Sequence, residues 1–285
     1  MRTLCYMAII ARPVNGVITF LAVLTAGFLL THVPPLSKMI VAACAAMAIA
    51  MFGNTINDAA DHKADRINKP SRMIPSGKLS VGQAWVAAIV YLAVGLFLSA
   101  IVGASCFYIA AFVSALLAAY SLLLKRVLLI SNLVVSAISA AVFAYAAAIE
   151  SVWTRDNLKF AAVGTVFVFI FHFGREILKD IEDMDGDRTA GTDTVPIRFG
   201  PRVSKALVVI AFSMLCVLMI LAHFIVDLSV AYLVSASVLV ILPLVIVLQR
   251  FCRSSDSTSF GRAQYQLKLI MPLGLLVLLI ARYTI

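Results

Sequence analysis

Apolar runs alternate with short polar stretches along the whole chain, and each apolar run is about 20 residues long, enough to cross a bilayer's hydrocarbon core as a helix. In lipid a helix satisfies its own backbone donors and acceptors, which a loop or an open strand does not. The pattern predicts nine spans, near 14–30, 39–56, 85–102, 106–123, 128–148, 160–178, 206–225, 231–248 and 269–285. They leave no room for a second, soluble domain, so residues 1–285 read as one all-α transmembrane domain. The first apolar run contains Arg12 and Pro13 and leads straight into a span, so it reads as part of that domain and not as a cleavable signal.

Composition agrees. The hydrophobic fraction is 62% and the charged fraction 13%, about half the share a soluble domain carries. The net charge of +9 is a matter of sidedness. With the N-terminus in the cytoplasm and alternating spans, only Lys38, Arg155, Lys159 and Arg282 of the 23 Lys and Arg residues fall outside. Orientation follows the Lys/Arg excess in short loops, so the expected topology is N-in in the cell membrane, and no basic, aromatic-interleaved module for nucleic acid is present. The five cysteines are scattered without a Cys-x-x-Cys pair, which argues against a disulfide framework or zinc.

The acidic residues are more informative, because most of the 14 fall in two short regions at the ends of the second and sixth spans. The first is Asn57-Asp58-x-x-Asp61-x-x-x-Asp65, and the second is Asp180-x-x-Asp183-x-x-x-Asp187. Offsets of three and seven place three carboxylates on one face of a helix. Like charges so arranged repel unless a cation neutralises them. An oxygen-only donor set suits a hard ion such as Mg²⁺. Similar basic tails follow: Arg66, Lys69, Arg72 and Pro75-Ser76-Gly77 after the first, Arg188, Arg198 and Gly200 after the second. Alone, either run would read as a solvated helix end paired with Lys63, Arg66, Lys179 or Arg188. Two with one spacing, on one side of an acid-poor chain, suggest halves facing each other across a shared cavity.

Magnesium held by carboxylates and substrate phosphates is a common arrangement, and two such sets suit a diphosphate leaving group. Lys125, Arg126, Arg66, Lys69 and Arg72 are candidates to add positive charge. A prenyl chain suits the apolar surroundings, since an allylic carbon ionises readily and a dry cavity protects the cation. Tyr120, Phe171 and Phe173 lie near a depth where aromatic faces would support it. Asn54 and Asn57 suit the metal or substrate shell or interhelix bonding. His172, Arg175 and Glu176 close the sixth span, where charge needs a partner or a cavity. Asn132 suits helix contact or acceptor recognition, and His32 and His223 read as interfacial. A transporter would instead place acids near the bilayer midplane.

At these residues the chain resembles the UbiA superfamily of membrane prenyltransferases. The resemblance is carried by both aspartate motifs, the Lys69-Pro70-Ser71-Arg72 and Pro75-Ser76-Gly77 tail, Tyr120 to Lys125, and the Arg12-Pro13-x-Asn15 opening. It implies nine helices around a central cavity, with a cytoplasmic cap over the site. It also implies that Asn54, Asn57, Asp58, Asp61 and Asp65 hold one Mg²⁺ and diphosphate, and Asp180, Asp183 and Asp187 a second ion. Arg12, Arg72 and Lys125 would contact phosphate, Tyr120 would lie near the reacting carbon, and Asn15, Asn132 and Arg175 would face the acceptor. Met73 departs from relatives that have Pro after the Arg. The 175–183 stretch and the opening most resemble the digeranylgeranylglyceryl phosphate synthases, which implies geranylgeranyl diphosphate as donor and a lipophilic alcohol, geranylgeranylglyceryl phosphate, as acceptor. An aromatic acceptor of quinone, tocopherol or chlorophyll type is the alternative.

Overall fold

The computed structural model describes residues 2–150, 154–189, 191–254 and 256–284, without the side chains of Arg2, Arg126 and residues 155–157. Arg126, a candidate phosphate ligand, therefore lies outside the side chains described. The described residues are helical and contain no strand. In chain order they form α1 (Arg2–Ile10), α2 (Pro13–Phe28), α3 (Leu36–Ala60), α4 (His62–Asn68), α5 (Val81–Val102), α6 (Ala104–Leu122) and α7 (Ile130–Ala140). There follow α8 (Val142–Ala147), α9 (Arg155–Glu182), α10 (Met184–Thr189), α11 (Val195–Ile225), α12 (Val230–Ala236), α13 (Leu242–Arg253) and α14 (Ser257–Tyr283).

Eight helical stretches among the described residues are long and apolar enough to span a membrane. Two are compound: Ile130–Ala147 joins α7 to α8, and Val230–Arg253 joins α12 to α13 through a π-helical turn at Ser237–Ile241. The pair α1 and α2, bent by 52°, makes a ninth. The chain is a multi-pass membrane protein of the expected span number. Its helices overrun the predicted boundaries: α3 continues to Ala60, α9 to Glu182, and α14 begins at Ser257. Apolar runs mark where lipid ends, whereas helical hydrogen bonding continues into the polar zone and carries the first acids of both motifs with it.

The outward faces show why lipid is the solvent. Ile210, Met214, Val217, Leu221 and Phe224 are exposed along α11 at helical spacing, as are Val86, Ile89, Val90, Val94, Phe97 and Ile101 along α5. Inside, two large apolar cores form beside smaller clusters such as Phe52, Ile56 and Ala88. One joins Val23, Met39, Ala42, Ala43, Ala45, Ile49, Cys106 and Ala110. The other is built on Ile177, Leu178, Phe212, Tyr232, Leu244 and Leu267. Helix α3 sits deepest, and its alanines let neighbours approach, as small residues do between membrane helices. At Gly95 a Cβ would lie 2.5 Å from Ile49 Cδ1 and 3.2 Å from the Ala45 carbonyl oxygen, so α5 closes on α3 only because that atom is missing.

Gly95→Val should therefore destabilise the protein by about 1–3 kcal/mol, the usual cost of overpacking. Thermal unfolding in detergent checks this, and an unchanged Tm would remove the close-approach argument.

Candidate active site

The first acidic segment lies where α3 gives way to α4. Helix α3 ends at Ala60, Asp61 leaves helical geometry (φ −85°, ψ 1°), and α4 starts at His62. The three aspartates thus straddle a break instead of sharing one uninterrupted helix. The break is slight, because the Asp61 and Asp65 amides still donate to the Asn57 and Asp61 carbonyls at 2.9 Å each. The second segment repeats this: α9 ends at Glu182, Asp183 occupies the turn, and α10 carries Asp187. Its bonds Asp183 to Lys179 (2.9 Å) and Asp187 to Asp183 (3.0 Å) again run through.

Tertiary contacts bring the two segments together. The Asn68 amide donates to the Asp183 carbonyl at 2.8 Å and accepts from the Gly186 amide at 2.9 Å. Lys69 pairs with Glu182 and, at 3.2 Å, with Asp183. Helices α4 and α10 consequently lie against each other, with the 69–80 turn beside them. The turn's Arg72 reaches Asp65 at 2.6 Å and Asp58 at 3.3 Å. Arg12 pairs with Asp58 from the α1–α2 bend, where it adopts a left-handed backbone (φ 53°, ψ 69°). That strained conformation costs of order 1–3 kcal/mol and persists where surrounding contacts enforce it. Here Asn54 donates to the Ala11 carbonyl at 3.1 Å. Lys125 pairs with Asp61, which also accepts from Asn57 at 2.9 Å.

The charges act across the two segments. Burial pushes the Asp187 carboxyl up to about 6, against the lowering influence of Lys125. Burial likewise raises Asp65, although Arg72 opposes it. Burial acts to lower both Lys125 and Arg72, yet both are held above their usual values, Lys125 by Asp61 and Tyr120 together and Arg72 by Asp58, Asp65 and Asp183 together. Arg72 feels Asp183 as well as Asp58 and Asp65, and Lys125 acts on both Asp61 and Asp187, so these two cations serve both acid sets. Three carboxylates do not converge tightly enough to hold a metal by themselves among the described residues. The side chains present are nonetheless oxygen donors throughout, and the Asn57 Oδ1 is buried without a partner.

A cavity of about 360 Å³ lies between the two cores. Its polar end is formed by Arg12, Asn15, Asn54, Asn57, Glu176 and Lys179. Tyr120 and Phe171 stand on its wall, and Ala22, Val142, Tyr145, Met219 and Leu278 line its apolar part. The six aspartates are not on this wall. Asn57 connects the wall to Asp61, and Lys179 connects it in sequence to Asp180.

The predicted residues are therefore largely assembled at one end of the bundle. Asn132 points at the second acid set, donating to Asp180 at 2.8 Å, and is absent from the cavity wall. Arg175 lines the cavity and pairs with Glu176 at 3.2 Å. Phe173 packs against the larger core, and Arg66 is exposed. Sequence reading missed Asn68 and Glu182 as the link between segments, and it missed Glu176 as the buried carboxylate that holds both Arg175 and Lys179 (3.0 Å). It also missed Lys268 on the cavity wall. A lysine directly at the start of the final apolar run was the available signal for the last.

Comparison with known proteins places these features in context. The sequence matches the UbiA prenyltransferase family over residues 17–270. It is 33% identical over 277 residues to a digeranylgeranylglyceryl phosphate synthase from Methanopyrus kandleri, covering 95% of this chain and 96% of that one. The fold matches the apo structure of a UbiA homolog from Aeropyrum pernix with a TM-score of 0.78 at 20% identity, covering 93% of this chain and 98% of that one. It also matches a UbiA homolog from Archaeoglobus fulgidus bound to GPP and Mg²⁺, with a TM-score of 0.69 at 18% identity over 96% and 99% of the two chains.

The α4–α10 junction is testable by itself. A Cβ at Gly186 would lie 2.3 Å from the Asn68 Nδ2, so Gly186→Ala should evict that amide and cost about 1–3 kcal/mol for two lost buried hydrogen bonds. In an Asn68→Ala background the same change should cost much less, because coupled sites are not additive. Equal costs in both backgrounds would show that Asn68 does not link the segments.

Proposed function

From the premise that this chain belongs to the UbiA prenyltransferase family, we propose that it transfers a geranylgeranyl group from geranylgeranyl diphosphate to the free hydroxyl of geranylgeranylglyceryl phosphate. The observation that carries this reading is the meeting of two acidic segments, tied by Asn68 and Lys69, next to an apolar cavity whose polar end they reach through Asn57 and Lys179. The named activity of the Methanopyrus relative, similar along nearly its whole length, supports the acceptor. The Archaeoglobus structure with GPP and Mg²⁺ supports a prenyl diphosphate donor and the metal.

In this reading Asn57, Asp58, Asp61 and Asp65 hold Mg²⁺ on one side of the diphosphate, and Asp180, Asp183 and Asp187 on the other. Bound Mg²⁺ would neutralise the diphosphate and act as a Lewis acid as it leaves. A Mg²⁺ site of one or two carboxylates plus phosphate oxygens needs no three-carboxylate cage, and the unpartnered Asn57 oxygen fits it. Arg12, Lys69, Arg72 and Lys125 now pair with the aspartates. They would turn toward phosphate when substrate arrives, exchanging one anion for another at little electrostatic cost. Arg66 extends the positive rim, and Asn54 holds Arg12's bend in place.

The prenyl tail would lie in the apolar part of the cavity, with Tyr120 near the allylic carbon. The C1–O bond breaks with its electron pair going to diphosphate. The acceptor hydroxyl oxygen then forms the ether bond with C1 and gives up its proton to the departing diphosphate. Asn15 and Arg175 would meet the acceptor, and Asn132 would orient Asp180. The charge asymmetry of the loops supports a cytoplasmic N-terminus and site.

Asp58→Ala and Asp180→Ala should each lower turnover about 100-fold or more while the protein still folds, which corresponds to roughly 3 kcal/mol of lost barrier reduction. A near-normal rate in either would refute its ligand role. Lys125→Ala should raise KM for the prenyl diphosphate, and an unaltered KM and kcat would put it outside the site. Product analysis across an acceptor panel with Mg²⁺ decides the acceptor: ether formation on the glycerophosphate lipid is expected, and exclusive alkylation of a hydroxybenzoate would overturn the assignment.

A further inference from the structure

The cations beside the aspartates answer the donor's charge, but the cavity wall carries a different imbalance. Its charged residues are Arg12, Arg175, Lys179 and Lys268 against the single carboxylate of Glu176. Glu176 is already shared between Arg175 and Lys179, and Arg12 pairs with Asp58. Lys268 is left over. It has no hydrogen-bond or ion-pair partner among the described residues, and the charged groups that act on it, Arg175 and Arg12, are both positive.

Its depth makes this costly. On α14, Gln264 donates to the Arg175 carbonyl at 2.9 Å, which fixes the register of α14 against α9. Nearer the helix start, Gly261 faces the Glu182 carboxylate, so the two helices run antiparallel. Lys268 is one turn beyond Gln264, which puts it deeper than Arg175, at about the level of His172. Two further polar atoms there are buried without partners, the Arg175 Nε and the His172 Nδ1. A lone ammonium within a membrane span marks a binding function, with an anion as its counterpart.

We propose that Lys268 and Arg175 form a second anion subsite, which holds the phosphate monoester of the acceptor lipid apart from the aspartate-bound diphosphate. This rests on the functional reading above and specifies what recognises its acceptor. A forked guanidinium and a point-charge ammonium together suit a doubly charged phosphate. Holding the acceptor by its phosphate beside Arg12 would bring its free hydroxyl toward the polar end, where the donor's C1 lies. No metal is needed for this contact.

The test compares wild type, Lys268→Gln and Lys268→Arg on two acceptors, geranylgeranylglyceryl phosphate and the same lipid without phosphate. Acceptor affinity is measured in parallel in detergent without Mg²⁺ or donor. Lys268→Gln should raise the KM and the Kd for the phosphorylated acceptor about 10-fold or more. The donor KM should stay within about twofold, and Lys268→Arg should recover most of the loss. On the phosphate-free lipid, wild type and Lys268→Gln should perform alike. Unchanged acceptor KM and Kd in folded Lys268→Gln, or equal slowing on both lipids, would overturn the subsite while leaving the functional reading intact. A wild-type enzyme that makes no ether from the phosphorylated acceptor would sink that reading, and the subsite with it.

Discussion

Six aspartates gathered at one end of a helical bundle repel each other strongly near a medium of low dielectric, and the rest of the site follows from how that repulsion is met. Arg12, Lys69, Arg72 and Lys125 are drawn in from three separate parts of the chain to meet it. Breaking a buried pair by removing one partner is far costlier than the pair's net worth. Until a substrate anion takes the carboxylates' place, the cations are therefore held beside them. The same arrangement explains why Arg12 tolerates a left-handed backbone at the α1–α2 bend. From there its guanidinium reaches Asp58.

The apolar part of the molecule serves this polar end. Two cores, one on each side, leave a space between them because small residues draw α3 close to α5 and α2 while bulky Phe171, Phe212 and Tyr232 hold the opposite half apart. The outer helices present apolar side chains to lipid, so the hydrophobic effect contributes little to holding helices together within the membrane. Close packing and polar links such as Ser99 to Tyr145 at 2.9 Å do more of it.

Much of this was legible in the chain. Apolar runs located the spans, and the repeated spacing of Asp58-Asp61-Asp65 and Asp180-Asp183-Asp187 located the chemistry. The helix breaks at Asp61 and Asp183 were not legible, since residue spacing is the same for a straight helix and for two joined at a slight bend. Asn68 was likewise invisible as a bridge. Its partners, Asp183 and Gly186, lie far along the chain, and an asparagine near a helix end has many ordinary uses. Helix bounds slipped for a related reason, because hydropathy senses lipid and not hydrogen bonding.

By itself the sequence determined the solvent, the helical class and the two acid sets, because each depends on residue type and local spacing. Only the tertiary structure decided which cation answers which carboxylate, and that Glu176 serves two of them. The same holds for Lys268, which is left facing the cavity without a counter-charge. Electrostatic pairing depends on distance through space, and residues far apart in the chain acquire that distance only when the helices pack.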